Sequence, residues 1–311
     1  MPTAGGFKPP RAGPFVFARQ RKLLGLLAAL GGRVGNLDFQ KLLFLLCQEQ
    51  PGAAVAYEFV PYKFGAFSFT SYADRRKLVE RGLLADEENM WELTDAGRDI
   101  VSGERDSQLV AFAHRHRDIR GDALVAETYR RFPYTAIRSE IAKRVLRGDA
   151  NSLRQIEMAR PTPGGPALST LGYEGKTLES YLNELLRAAV TVLADVRRNP
   201  VSRKYGFSKK TLAKACLGVG IRYEHLPELG IASDKRRFLE TQADYDALFA
   251  EYERDSLPQQ DEPLTRIRAW IEAGEHVALM CYELSPAQCH RHCVAEALEQ
   301  KLGAGFTARH L

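Results

Sequence analysis

Leucines near the start of the chain recur at the three-to-four-residue spacing of amphipathic helices. One apolar stripe covers residues 23–30 and a second covers 37–46, with the pair Gly31-Gly32 between them. A third helix is predicted over 71–81, where Gly82 follows the last polar turn. The pattern therefore predicts three successive helices in the first eighty residues.

A short alternating segment follows these helices. Residues 83–93 predict a β-hairpin, and Thr94 is placed to cap a further helix. Three helices and a hairpin in this order predict a winged-helix-like α+β domain at residues 15–104. The proline- and glycine-rich residues 1–14 are predicted to form a flexible tail.

Short apolar runs alternate with amphipathic helices in the last 145 residues. Four runs predict buried strands and a fifth predicts a short terminal strand, at 167–171, 190–196, 221–225, 277–280 and 306–311. Strands that alternate with helices are typical of α/β folds, so we predict an α/β domain with a largely parallel sheet at residues 167–311.

The segment between the two predicted domains is helical and basic. Residues 105–160 predict a helical connector, with arginines, lysines and histidines concentrated at 114–147. The run Pro161-Thr-Pro-Gly-Gly-Pro166 has the composition of a linker, so we place a domain boundary at 161–166. A chain of 311 residues is long enough for two domains.

Composition places the chain among globular proteins. Hydrophobic residues make up 45% and charged residues 27%, and no apolar run approaches the ~20 residues that a membrane span needs. The start lacks the apolar core of a signal peptide, so we expect a cytoplasmic protein with no membrane partner. The net charge of +5 suits a polyanionic partner such as DNA. We expect no cofactor, and the sequence leaves the oligomeric state open.

Polar side chains follow four of the predicted strands in the C-terminal half. Because ligands bind beyond the carboxyl ends of strands in open α/β sheets, we expect these side chains to share one pocket. Carboxylates in such a pocket can act as general bases or stabilise a developing cation. We predict catalytic roles for Glu174, Asp195, Glu283 and His290.

Basic side chains around the same strand ends are candidates for binding phosphate. A guanidinium binds phosphate in a fork geometry, and a helix N-terminus offers free N–H groups. The predicted phosphate or nucleic-acid contacts are Lys176, Arg197, Arg198, Ser202, Arg203, Lys204, His225 and Arg291. The predicted base-stacking rings are Tyr173, Tyr223 and Tyr282. A solvated loop with surface ion pairs is the alternative for the basic residues.

Five cysteines, an odd number, favour free thiols over disulfides in a cytoplasmic protein. Cys281, Cys289 and Cys293 lie close to His290 and His292, but their spacing fits no standard zinc pattern, so we expect no metal. A cysteine nucleophile, Cys281 or Cys289 with His290, stays open as an alternative, because a helix N-terminus lowers a thiol pKa.

Five separated blocks of the C-terminal half resemble the DUF488 family. The matching residues are Thr170, Gly172, Tyr173, Glu174, Gly175; Asp195, Val196, Arg197, Pro200, Ser202; Tyr223, His225, Leu229, Gly230; Cys281, Glu283, Cys289, His290, Arg291; and His310-Leu311. A single Gly230 stands where Leu-Gly-Gly is common in that family. The resemblance covers residues 167–311 and implies the fold better than the reaction, because the family name records no assigned function.

The N-terminal region resembles the Panacea group, also described as SocA-like or DUF4065. The resemblance rests on Lys41-Leu42-Leu43-Phe44, on the segment 62–68 and on the segment 78–84. Phe64-Gly65-Ala66 departs from the group, which usually has a proline there. This resemblance covers roughly residues 20–100 and implies a regulatory or antitoxin-like role.

Together these observations predict a nucleic-acid-directed enzyme of DNA repair, modification or defence. We expect DNA-glycosylase-like hydrolysis of an N-glycosidic bond on a base extruded from the stack, because the predicted pocket is rich in carboxylates and arginines. Two alternatives remain: a non-catalytic DNA- or protein-binding regulator, and a thiol-dependent nucleotide enzyme.

Overall fold

The computed structural model describes residues 16–49, 57–103, 106–232, 234–236, 239–303 and 305–311. Among these, two compact units are formed. The first combines the residues up to Tyr57 with Ser71–Leu124, and the second combines Glu58–Thr70 with Val125–Leu311. No helix in the described ranges has the length and apolar character needed to cross a bilayer.

The described helices are α1 Ala18–Ala29, α2 Asn36–Glu49, α3 Phe69–Glu80, α4 Asp95–Ser102, α5 Ser107–Arg115, α6 Gly121–Arg131, α7 Ala142–Val145, α8 Ala150–Met158, α9 Leu178–Arg187, α10 Lys209–Gly218, α11 Gln242–Glu251, α12 Asp261–Glu272 and α13 Arg291–Leu302. The described strands are β1 Arg33–Gly35, β2 Val60–Tyr62, β3 Gly65–Phe67, β4 Met90–Glu92, β5 Ala167–Gly172, β6 Val192–Asp195, β7 Arg222–His225, β8 His276–Cys281 and β9 Arg309–His310.

The first unit is made of helices with a small antiparallel sheet. β1 pairs with β4, and the predicted hairpin is present as a bridge between Leu84 and Leu93. Thr94 caps α4 by accepting a hydrogen bond from the Gly97 amide at 3.1 Å, as the sequence predicts. The helices and small sheets of this region agree with an α+β class, while the winged-helix and Panacea resemblances stay predictions. The predicted tail, 1–14, lies outside the described residues.

The second unit contains a five-stranded parallel sheet with the strand order β7-β6-β8-β5-β9. All five strands predicted from the apolar runs are present. One apolar cluster joins the sheet to α9 and α10, and a second joins it to α11, α12 and α13. Helices cover both faces, which explains why the central strands are apolar at nearly every position. The predicted α/β class is confirmed.

The segment 58–70, which contains β2 and β3, groups with the C-terminal unit. Glu179 on α9 is buried and accepts hydrogen bonds from the Thr70 amide at 2.7 Å, the Thr70 hydroxyl at 2.9 Å and the Ser68 hydroxyl at 3.1 Å. Burial raises the pKa of the Glu179 carboxyl. The compact units therefore divide the chain differently from the predicted boundaries at 104, 160 and 166, because these long-range bonds cross them.

Candidate active site at the strand ends

A pocket of about 290 Å³ lies at the carboxyl ends of β5, β6 and β8. Its lining includes residues that follow each of these strands and residues of a neighbouring loop: Tyr173, Arg197, Arg198, Asn199, Val201, Ile231, Arg236, Cys281, Tyr282 and Glu283. β8 lies between β5 and β6, so the order in which the chain adds strands to the sheet reverses here, while all the strands stay parallel. Ligands of open α/β folds bind at such switch points.

A larger cavity, of about 510 Å³, is lined by residues of α12 and α13. It lies away from the strand ends and contains a mixture of acidic, basic and apolar side chains. We favour the smaller pocket as the candidate site, because convergence of polar groups identifies a functional pocket better than volume does.

Asp195 is the centre of a buried polar cluster behind the pocket. Its carboxylate accepts hydrogen bonds from Arg197 Nε at 2.8 Å, Arg197 Nη2 at 2.6 Å and the Tyr223 hydroxyl at 2.6 Å. Burial opposes the charge on Arg197, but Asp195 outweighs it, so the pKa of the Arg197 guanidinium lies above its usual value. Burial beside Asp195 also raises the pKa of Tyr223.

Arg197 connects this cluster to an aromatic stack. Its Nη1 donates to the Tyr173 hydroxyl at 2.9 Å, and its Nη2 donates to the Phe207 carbonyl at 3.0 Å. Tyr173 stacks on Phe207 with ring centroids 4.3 Å apart. The guanidinium and the Tyr173 ring therefore already have protein partners. The predicted phosphate contact of Arg197 and the predicted base stacking of Tyr173 and Tyr223 stay predictions.

Cys281, at the end of β8, is fully buried at the floor of the pocket. Its Sγ lies 3.4 Å from Glu283 Oε2 and 3.7 Å from His290 Nδ1. Burial raises the pKa of this thiol, but the Cys289 thiol and the charges of Arg236 and Arg291 lower it, with a net decrease to about 7. Burial raises the pKa of Cys289.

His290 directly precedes α13 and is buried. Its Nε2 lies 3.0 Å from the Val196 carbonyl, which can only accept a hydrogen bond. Nε2 therefore carries the proton in the neutral ring, and Nδ1 presents its lone pair to Cys281. This arrangement gives the imidazole a fixed orientation between β6 and β8.

Glu283 lines the pocket with its carboxylate ion-paired to Arg236. Tyr282, which precedes it, is 45% exposed, and its ring contacts the Tyr173 ring edge-to-face with centroids 5.2 Å apart. Arg198 is exposed and lines the same pocket. Together with Arg236, these side chains give the pocket one carboxylate, two guanidinium groups and a partly exposed aromatic ring.

Arg291 and Glu174 fix the loop that carries Glu283. The buried Arg291 guanidinium donates to the carbonyls of Glu283 and Leu284 and to the Thr170 hydroxyl. Glu174 Oε2 accepts from the Leu284 amide at 3.0 Å. Arg291 therefore anchors the loop with these donors, and its predicted phosphate contact stays a prediction. Glu174 therefore also holds this loop in place, and it does not line the pocket.

Gly172 allows that loop to approach β5. A Cβ at this position would lie 1.8 Å from the Glu283 carbonyl oxygen. A side chain of any size would therefore push the loop away from the strand end. The glycine of the sequence motif is explained by this close contact.

The remaining predicted phosphate ligands lie outside the pocket lining. Lys176 pairs with Glu184 at 2.6 Å, and Lys204 donates to the Tyr173 carbonyl at 3.2 Å. His225 has both ring nitrogens in contact, with the Arg197 carbonyl at 2.9 Å and Lys209 at 3.1 Å.

Ser202 and Arg203 belong to the loop after β6. The Ser202 hydroxyl accepts from the Lys204 amide at 3.1 Å, and Arg203 is exposed. Arg236 is the pocket residue that sequence reasoning missed. It follows no predicted strand and sits in an irregular segment, so no pattern marked it.

Comparison with known proteins agrees with the motif-based resemblance. Residues 177–298 match a family model described as "Domain of unknown function DUF488". The C-terminal unit carries a DUF488 domain. The matched range contains Asp195, Arg197, Cys281, Glu283 and His290, so the DUF488 domain supplies most of the pocket. No curated protein and no solved structure matched the chain.

Proposed function

We propose that the DUF488 domain hydrolyses an N-glycosidic bond in a nucleic acid and that the strand-end pocket holds the reacting nucleotide. The proposal is carried by one observation: Glu283, Arg198, Arg236 and the exposed ring of Tyr282 line the same pocket. At about 290 Å³, the pocket lies near the lower end of the ~300–1,000 Å³ typical of small-ligand sites, so it suits one nucleotide unit.

The guanidinium groups supply the anion-binding part of this function. Arg198 is exposed, and its contact with the Pro227 carbonyl, at 3.5 Å, is at the limit of a hydrogen bond. Arg236 retains 28% exposure while it pairs with Glu283. Both therefore have donors that a phosphate can use, whereas four of the five N–H groups of Arg197 already have protein partners. The Tyr282 ring beside them offers a stacking surface for a base.

Glu283 supplies the acid–base group. In the proposed reaction, a water oxygen forms a bond to C1′ of the sugar while the C1′–N bond to the base breaks. The Glu283 carboxylate accepts a proton from the water, and the leaving base takes up a proton from solvent. A positioned carboxylate also stabilises the oxocarbenium-like transition state of glycosidic cleavage.

The two carboxylates favoured by the sequence suit this role less well. Asp195 is fully buried and bonded to Arg197 and Tyr223, and Glu174 holds the Leu284 amide outside the pocket lining. The thiol-dependent alternative is also weaker, because reactive cysteines are partly exposed whereas Cys281 has no exposed surface.

The test is a panel of single- and double-stranded oligonucleotides that carry normal, damaged and modified bases. After incubation, alkali reveals abasic sites. We expect cleavage at one class of base, with Glu283→Gln at least ~100-fold slower because general-base catalysis contributes that much. The control is Glu272→Gln, which changes a glutamate in an exposed ion pair with Arg268 and should cleave at the wild-type rate.

Absence of abasic sites with every oligonucleotide contradicts the proposed reaction. Equal rates for Glu283→Gln and the wild type contradict the role of Glu283. Binding of oligonucleotides without cleavage, unchanged by Glu283→Gln, supports the non-catalytic regulator instead.

A further inference from the structure

Three soft or borderline ligand atoms meet below the pocket. The Sγ atoms of Cys281 and Cys289 and a ring nitrogen of His290 all lie within 4.8 Å of one another, and all three residues are buried. We propose that these residues bind a zinc-class divalent cation. This inference goes beyond the proposed hydrolysis and gives the buried thiols a role that does not require contact with substrate.

The separation of Cys281 from His290 fits two ligands of one tetrahedral ion. Zinc binds sulfur at about 2.3 Å and nitrogen at about 2.0–2.1 Å, so a tetrahedral pair of S and N ligands lies about 3.6 Å apart. The distance from Cys281 Sγ to His290 Nδ1 is 3.7 Å. The protein therefore holds this pair near the spacing that an ion requires.

His290 has the orientation of a metal ligand. Ligating histidines almost always donate the other ring N–H to a carbonyl or carboxylate, which fixes the ring and the tautomer. His290 Nε2 lies 3.0 Å from the Val196 carbonyl, and this leaves the Nδ1 lone pair directed at the cysteine cluster.

The types of ligand in this cluster indicate which ion it would bind. Thiolate and imidazole ligands favour zinc over magnesium or calcium, which prefer oxygen. Two cysteines and one histidine form a three-ligand set that is known in catalytic zinc sites, where water takes the fourth position. Glu283 reaches this cluster at 3.4 Å from Cys281 Sγ and also lines the pocket.

The three ligands do not have the spacing of a standard zinc motif in the sequence. Cys281 ends β8, whereas Cys289 and His290 lie next to one another before α13. The loop at 282–288 returns to the strand end and brings the three ligands together. A paired C-x-x-C pattern is absent from this arrangement, and for this reason the sequence predicted no metal.

A second group, Glu253, His292 and Cys293, provides an internal comparison. Its ligand atoms also lie within 4.8 Å, but Glu253 is exposed and His292 is half-buried. His292 Nδ1 is bonded to the Cys289 carbonyl at 2.7 Å. An exposed carboxylate near a thiol is a weaker site than a closed pair of thiols with an oriented imidazole.

The test uses untagged full-length protein purified without chelator from zinc-supplemented cells. Elemental analysis should find about one zinc per chain, as expected for one set of three protein ligands. Cobalt substituted for zinc should produce thiolate-to-cobalt charge-transfer absorption. This spectrum is recorded on the wild type, so it does not depend on the folding of any variant.

Variants then locate the ion. Cys289→Ser and His290→Ala should lose most of the zinc and the cobalt absorption. Cys216→Ser should keep both, because Cys216 is an equally buried thiol in the apolar cluster on the other face of the sheet. Retention by Cys289→Ser with loss in Cys293→Ser would assign the ion to the second group and overturn the proposal.

The proposed metal site is also overturned if the wild-type protein contains no zinc and shows no cobalt absorption. In that case, Cys281 and Cys289 should be found as a disulfide or as thiols that react with an alkylating reagent. Zinc binding and cleavage are measured separately, so the metal site and the proposed function can fail independently. Glu283→Gln should keep zinc while it loses cleavage. Cleavage by wild-type protein that purifies without zinc overturns only the metal site, and bound zinc without cleavage overturns only the hydrolase.

Discussion

Two polar clusters at neighbouring strand ends of the DUF488 domain have opposite characters. The cluster after β6 joins Asp195, Arg197 and Tyr223, and its polar atoms bond to one another. The cluster after β8 joins Cys281, Glu283 and His290 and borders a pocket. Each cluster thus contains one carboxylate, which is bonded into the scaffold after β6 and borders the pocket after β8. Partners and position, not the carboxylate itself, make the difference.

The largest effect should come from breaking the scaffold cluster. Asp195→Asn leaves the buried Arg197 charge without its counter-ion, so the free energy of unfolding should fall by about 3–5 kcal/mol. Urea unfolding at pH 7 measures this. Glu275→Gln, which removes an exposed partner of Arg222, should change stability by less than ~1 kcal/mol. Equal effects of the two substitutions would show that Asp195 is not a buried anchor.

A smaller effect should follow from moving the loop that joins the clusters. Gly172→Ala places a methyl group against the Glu283 carbonyl, and such overpacking costs about 1–3 kcal/mol. Cleavage should fall as well, because Glu283 is displaced. Gly164→Ala, where a Cβ has no neighbour within 4 Å, is the control. Wild-type stability and cleavage in Gly172→Ala would show that the loop position has no importance.

Glu283→Gln should separate stability from activity. Arg236 is 28% exposed and can be solvated when it loses its partner, so unfolding free energy should change by less than ~1 kcal/mol. The same variant should lose most cleavage. Circular dichroism and urea unfolding, measured on the preparation used for cleavage, check this. A loss of stability as large as that of Asp195→Asn would make Glu283 part of the scaffold.

The smallest effect concerns the other end of β8. Burial lowers the pKa of His276, so the unfolded chain takes up a proton before the folded protein does. Stability from this residue is therefore complete above the ordinary value of about 6.5 and decreases as the pH falls through the folded-state pKa. Between pH 8 and pH 5, the melting temperature of His276→Gln should decrease less than that of the wild type. Identical slopes would contradict this account.

The sheet could be predicted from the sequence because apolar runs of strand length alternate with helices. The meeting of the strand ends followed from the parallel topology. The partners of the two carboxylates could not be predicted, because Asp195 and Glu283 both lie at or just after strand ends. Only the folded structure shows that Arg197 neutralises Asp195 and that Glu283 borders the pocket.

Two further features depended on folding. Arg236 lies in an irregular segment without periodicity, and Cys281 meets Cys289 only because the intervening loop returns to the strand end. The segment 58–70 joined the C-terminal unit through Glu179, a helical glutamate that nothing in its local pattern distinguishes from a surface residue.

The proposed function depends on a nucleotide that binds in the pocket beyond β5, β6 and β8. A crystal structure of Glu283→Gln with a bound oligonucleotide tests this most directly. We predict one nucleotide in the pocket, with a phosphate at Arg198 and Arg236 and a base against Tyr282. An empty pocket with the oligonucleotide bound elsewhere would contradict the account.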